Sequence, residues 1–99
     1  MDINMQKNGS ELTVEVVGRL DSLTSDELSS ELEGAYGGTE LLVMDLGKLD
    51  YVSSSGLRVF LGASQAMEEQ QGKMVVRNVT PPVRKVIDMV GFDSVLNIE

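Results

Sequence analysis

The run Leu41-Leu42-Val43-Met44-Asp45-Leu46 restricts the fold of this chain more than any other segment. It is almost continuously apolar, yet far too short to span a membrane. A run of this kind predicts a central strand covered on both faces. Gly47-Lys48-Leu49-Asp50 and Tyr51-Val52 lead from it to three serines, Ser53-Ser54-Ser55, and then Gly56. Leu57, Phe60, Leu61 and Met67 recur at helical spacing, so a helix opens close to the serines and runs roughly to Gln70, before Gln71-Gly72. Strand, polar turn and amphipathic helix together point to an α/β layer.

The same alternation extends along the chain. Residues 2–7 and 11–19 are predicted to be strands joined at Asn8-Gly9-Ser10, a hairpin-like signal. In the second, Leu12, Val14 and Val16 alternate with Thr13, Glu15 and Val17, leaving one face more exposed, and Gly18-Arg19-Leu20-Asp21 leads off the sheet. Thr24 to Glu27 fits a capping box with Thr24 at the N-cap, and Leu23 and Leu28 stand where a hydrophobic staple would place them. Leu28, Leu32 and Ala35 form the buried stripe of that helix, and Gly37-Gly38 stops it. Lys73 to Val79 is a further strand. Thr80-Pro81-Pro82 opens a third helix with Val83, Val86, Ile87 and Val90 on its apolar face and Gly91 at its end. Ser94 to Ile98 is a candidate short last strand. The order β-β-α-β-α-β-α-(β) predicts one small α/β domain over residues 1–99, a mixed sheet of four to five strands with helical crossovers.

Composition narrows the chemistry. With 41% hydrophobic and 24% charged residues, the chain has the make-up of a folded globule. Its formal net charge of -8 argues against nucleic acid or an anionic membrane as a direct partner. Cysteine and histidine are both absent. Disulfides, thiolate nucleophiles, the Ser-His-Asp triad and the commonest zinc ligands are thereby excluded. A serine nucleophile would need a lysine base, and Lys7, Lys48, Lys73 and Lys85 show no motif spacing to the serines. The chain is expected to be no enzyme and to hold no cofactor or metal. Met1-Asp2-Ile3-Asn4-Met5 has neither the basic region nor the apolar stretch of a signal peptide, so a cytoplasmic location is expected.

In an α/β sheet, functional groups gather beyond the carboxyl ends of the parallel strands. Asp21, Asp45 and the serine turn are all predicted to lie at that edge. Serine hydroxyls cap free N–H groups at a helix N-terminus, where the helix dipole also favours an anion. A phosphate on one of these serines is therefore compatible with the fold. The plainer reading is capping alone, with Asp21 and Asp45 accepting turn hydrogen bonds.

At these residues the chain resembles a known family. Gly18-Arg19-Leu20-Asp21 resembles the Gly-x-Leu-Asp segment of the STAS domain. Val43-Met44-Asp45-Leu46, followed by Leu49-Asp50-Tyr51-Val52-Ser53-Ser54-Ser55-Gly56-Leu57-Arg58-Val59, resembles that family's signature. The likeness covers nearly the whole chain, and the single-domain form is similar to the bacterial anti-sigma factor antagonists. It implies a partner-switching regulator of transcription. The unphosphorylated form of such a protein binds an anti-sigma factor that is also an ATP-dependent serine kinase, releasing a sigma factor. The kinase then phosphorylates one serine of the antagonist, the complex dissociates, and a serine phosphatase resets the cycle. Aligned on Gly56, the implied acceptor is Ser54; Ser53 stands in the place of an aspartate, and Ser53 and Ser55 stay open as alternative acceptors. Asp21, Ser53, Ser54, Ser55, Gly56 and Arg58 are the implied partner-binding residues, whereas Leu57 belongs to the core. A STAS scaffold or ligand-binding module that is never phosphorylated is the alternative.

Overall fold

The structure is a computed structural model and describes every residue from Met1 to Glu99. The alternation in the second predicted strand becomes β2 (Glu11–Leu20), with Leu12, Val14, Val16 and Leu20 buried. β1 (Asp2–Asn8) lies antiparallel beside it, with Asp2 opposite Val17 and Asn8 opposite Glu11. α1 (Ser22–Glu33) carries the chain back, and β3 (Leu41–Asp45) enters parallel to β2 on the side away from β1. β4 (Leu49–Val52), α2 (Ser54–Glu69), β5 (Lys73–Arg77), α3 (Pro81–Met89) and a short 3-10 helix at Phe92–Ser94 follow. β5 pairs with β3, so the main sheet runs β1-β2-β3-β5. No helix is long and apolar enough to cross a membrane.

Each parallel connection steps in the same direction across this sheet. Right-handed crossovers that always step the same way deliver their helices to the same face. The core follows that rule. Leu28 and Leu32 of α1, Leu57, Phe60, Ala63 and Met67 of α2, and Val83 and Ile87 of α3 join the inward residues of β2, β3 and β5 in one cluster of 20 buried residues. Val43 and Val75 point the other way and lie outside that cluster, although they are only 2% and 1% exposed. Leu42, Val43 and Met44 are all buried, so the strand is covered on both faces as expected, though by different means. Helices cover one face only, and on the other Val43 sits in register between Thr13 and Val75.

β4 is a strand that the sequence reading does not contain. β3 ends at Asp45, opposite Glu15, while β2 continues to Leu20. The backbone of Gly18–Leu20 still needs partners. β4 supplies them, with Gly18 opposite Leu49 and Leu20 opposite Val52. A register shift between Gly18 and Arg19 bends β2 towards its new neighbour, and Gly18 takes a φ of +101°, a region that favours glycine. Residues 18–20 thus remain in the sheet rather than leading off it.

The start of α1 also differs from expectation. Asp21 is the N-cap, and its Oδ1 accepts from the N–H groups of Leu23 and Thr24, both at 3.0 Å. Thr24 Oγ1 reciprocates by accepting from the Asp21 N–H at 2.9 Å. The box is Asp21–Thr24, not Thr24–Glu27, and Leu23, 85% exposed, staples nothing. The helix closes at Glu33 with Gly34 as its cap, before Gly37-Gly38, and Ala35 lies half-buried beyond it. At the other end of the chain, residues 94–98 supply no strand but a single parallel bridge between Val76 and Ile98.

The Thr24 N–H and hydroxyl, helped by the Leu23 N–H and the Arg19 charge, outweigh desolvation and hold the Asp21 carboxyl below its ordinary value of 3.8. A carboxyl lowered on folding stabilises the fold fully above its unfolded pKa and loses that contribution as pH falls through the folded value. Asp21→Ala is therefore expected to lower the melting temperature near pH 7. In circular dichroism melts the gap to the unsubstituted chain should narrow as pH falls from the unfolded pKa through the lowered folded one, beneath which the carboxylate is protonated in both states. A gap that is constant with pH would show that the charge on Asp21 is not what stabilises α1.

Candidate functional site

Helix α2 begins where β2 and β4 end side by side. The Ser53 N–H donates to the Leu20 carbonyl at 2.8 Å, tying the turn to the end of β2. Ser53 is the N-cap, its Oγ accepting from the Gly56 N–H at 3.2 Å. Ser54 is the first helical residue; it is exposed and its hydroxyl engages no hydrogen bond. Ser55 is half-buried. The three serines thus occupy three physically different places.

Gly56 lies beneath them. A Cβ there would stand 2.8 Å from Cγ and Cδ2 of Leu20 and from Cγ2 of Val52. Absence of a side chain lets the first turn of α2 close onto the ends of the two strands. Gly56, expected among the partner-binding residues, is buried, so it shapes the exposed face of the serine turn from inside. Leu57 is fully buried, as expected of a core residue.

Asp21 neighbours this turn through Leu20, but its carboxylate bonds only to the first turn of α1. α1 and α2 both return from the same sheet edge, run parallel and pack together, so their N-termini share that edge. Asp45 does not join them. It stands opposite Glu15, five positions before Leu20 on β2, or roughly 16 Å at the usual strand rise. Its carboxylate accepts from the Gly47 N–H at 3.0 Å and from Asn78 Nδ2 at 3.1 Å. It looks onto the helix-free face with Asn4, Gln6, Thr13 and Glu15. The expected convergence of Asp21, Asp45 and the serines is corrected on this point, because β4 carries the serine turn beyond the end of β3.

Arg58 is exposed one helical turn after Ser54. It lines a groove of about 340 Å³ between α1 and α2 together with Ser29, Glu33, Tyr36, Val59 and Gly62. Burial, and then the Glu33 charge, push the Tyr36 phenol above its ordinary pKa. On the bent ends of β2 and β4, the Arg19 guanidinium lies 4.4 Å from the centroid of the Tyr51 ring. Sequence reasoning missed this pair because it becomes visible only once β4 sets Arg19 opposite Tyr51. The acidic side chains form no group able to hold a metal ion.

The profile of the STAS domain matches residues 2–99. The chain belongs to the STAS domain family. It is 34% identical over 99 residues to BtrV of Bordetella bronchiseptica, whose name assigns it provisionally to the anti-sigma factor antagonists, covering 99% of this chain and 85% of that one. It is 33% identical over 100 residues to the anti-sigma F factor antagonist of Paenibacillus polymyxa, covering 99% and 86%. The solved structure of the anti-sigma factor antagonist SpoIIAA in its unphosphorylated form shares the fold at a TM-score of 0.85, with 20% identity over 99% of this chain and 88% of that one.

In this STAS domain the glycines of α2 are not equivalent. Gly56→Ala should lower the urea midpoint, since forcing a methyl against buried Leu20 and Val52 costs about 1–3 kcal/mol. Gly62→Ala meets nothing within 4 Å and should raise the midpoint, because alanine is favoured over glycine within a helix by about 1 kcal/mol. Equal shifts for the two variants would contradict the close approach at Gly56.

Proposed function

We propose that this chain is an anti-sigma factor antagonist that acts by partner switching, with Ser54 as its phosphoacceptor. One observation carries the choice of residue: among three adjacent serines, Ser54 alone is exposed with a free hydroxyl, while Ser53 is engaged as the helix cap. The family membership and the names of the similar antagonists support the wider reading. Unphosphorylated, the domain binds an ATP-dependent anti-sigma serine kinase and so frees a sigma factor. Phosphorylation by that kinase ends the complex, and a serine phosphatase restores the free form. The domain itself performs no catalysis in this scheme, which operates in the cytoplasm.

The physics of the switch is local. A phosphate adds about 1.5 to 2 negative charges and three acceptor oxygens. At the first residue of α2 it meets the positive end of the helix dipole, so the fold tolerates it. A docked partner does not, because burying the phosphate's excess negative charge against a surface that offers it no cation costs several kcal/mol, and about 1.4 kcal/mol is already tenfold in affinity.

Incubation with ATP and the anti-sigma kinase encoded in the same genome, followed by tandem mass spectrometry, tests the acceptor. Ser54→Ala should abolish phosphate incorporation, and Ser53→Ala and Ser55→Ala should retain it. A phosphate mapped to Ser53 or Ser55 in the Ser54→Ala chain would overturn the assignment. In calorimetric titration against the ADP-bound kinase, Ser54→Asp should bind at least tenfold more weakly than Ser54→Ala, a difference of about 1.4 kcal/mol. Equal affinities for the Ala, Asp and phosphoserine forms would favour the scaffold or ligand-binding alternative.

A further inference from the structure

We infer that Arg58 is the intramolecular counter-ion of phosphorylated Ser54, so that phosphorylation reverses the sign of this surface. The inference rests on the reading of Ser54 as the phosphoacceptor. Three of the four arginines are already committed: Arg19 stacks on Tyr51, Arg77 pairs with Glu99 at 2.6 Å and Arg84 pairs with Asp88 at 3.1 Å. Arg58 alone has no ionic, hydrogen-bonding or aromatic partner. It is also the arginine that follows Ser54 by four residues on the same helix.

That spacing puts the two side chains on one face, with Cβ atoms about 5–6 Å apart. Helical side chains lean towards the N-terminus, so the Arg58 stem lies back over the turn that Ser54 opens. An acid four residues ahead of a base is the favoured order. The guanidinium fork can donate to two phosphate oxygens at once. From the packed neighbour, Glu33 and Tyr36 face Arg58 across the groove, and neither bonds to it. Asp21, at the adjacent helix N-terminus, is committed to its own cap. A phosphate therefore has no established competitor for this arginine.

The charge sequence follows. Before phosphorylation the exposed edge of α2 presents one free positive charge. Afterwards the phosphate and guanidinium together carry a net of about -0.5 to -1. The partner surface that fits the first state bears an acidic group opposite Arg58. On phosphorylation that group loses its donor and meets excess negative charge in its place.

The test uses the full chain with phosphoserine installed at position 54 by codon expansion, and phosphorus NMR to titrate the phosphate. The titration midpoint should be lower in the unsubstituted chain than in Arg58→Gln by at least about 0.3 pH. Arg58→Lys should recover part of the difference, Arg84→Gln should leave the midpoint unchanged, and salt near 1 M should close the gap. Coincident midpoints with and without Arg58 would overturn the pairing. Because the phosphate is installed during synthesis, this result does not depend on any kinase. A kinase that labels another serine would sink the proposed function and leave the pairing standing. Labelling of Ser54 with coincident midpoints would sink the pairing alone.

Discussion

The first turn of α2 sits so near the ends of β2 and β4 that a Cβ on Gly56 would lie 2.8 Å from Leu20 and Val52. Those two side chains are buried, and the Leu20 carbonyl also holds the Ser53 N–H. An apolar contact below the turn and a hydrogen bond at its start together fix the angle at which the helix leaves the sheet. Ser53 then has its hydroxyl on the Gly56 N–H, and Ser54 is turned outwards. The exposure of the candidate acceptor is set by packing on the opposite side of the same turn.

The one-directional order of parallel strands sets the larger frame. It sends all three helices to one face and leaves Asn4, Thr13, Glu15, Asp45 and Arg77 on the other. β4 then takes over from β3 beside the bent end of β2, which separates the serine turn from Asp45. The candidate site and the helix-free face are consequently two different surfaces. Charges on the second, such as the Asn78-bound Asp45 carboxylate, stand more than a Debye length of about 8 Å along the sheet from the first, where salt screens them.

Where periodicity is long and strong, the chain is readable. The alternating Leu12, Val14 and Val16, the helical spacing of Leu57, Phe60 and Met67, and the stop at Gly91 with a φ of +77° all stand as expected. β4 was hidden because it is four residues long, with Leu49 and Val52 buried and Asp50 and Tyr51 exposed between them. That pattern has neither period two nor the length to show a helical one. The cap of α1 was ambiguous for a different reason. Asp21 and Thr24 are both good capping residues three apart, and the carboxylate wins by accepting two N–H groups while Thr24 answers it. Nor does an apolar run reveal what covers it. Val43 reads as doubly packed from its neighbours, and only the crossover directions show which face receives helices. The place of Ser54 was legible from the signature it resembles, but its free hydroxyl was not.

Ser53 in the place of the aspartate implied by that resemblance bears on the switch itself. A carboxylate and a hydroxyl can both accept the Gly56 N–H, so the cap survives the exchange. What changes is the charge next to the acceptor. With serine at the cap, the unphosphorylated edge of α2 carries no anion of its own beside Ser54, and Arg58 stands one turn later with Glu33 across the groove but not bonded to it. A phosphate on Ser54 breaks no existing hydrogen bond, whereas one on Ser53 would have to displace the cap and one on Ser55 would have to leave a half-buried position. The substitution that weakens the match to the signature leaves the charge added by phosphorylation unchanged but lets the sum of Arg58 and phosphate pass from positive to negative, and it does so without disturbing the packing of Gly56 that positions the acceptor.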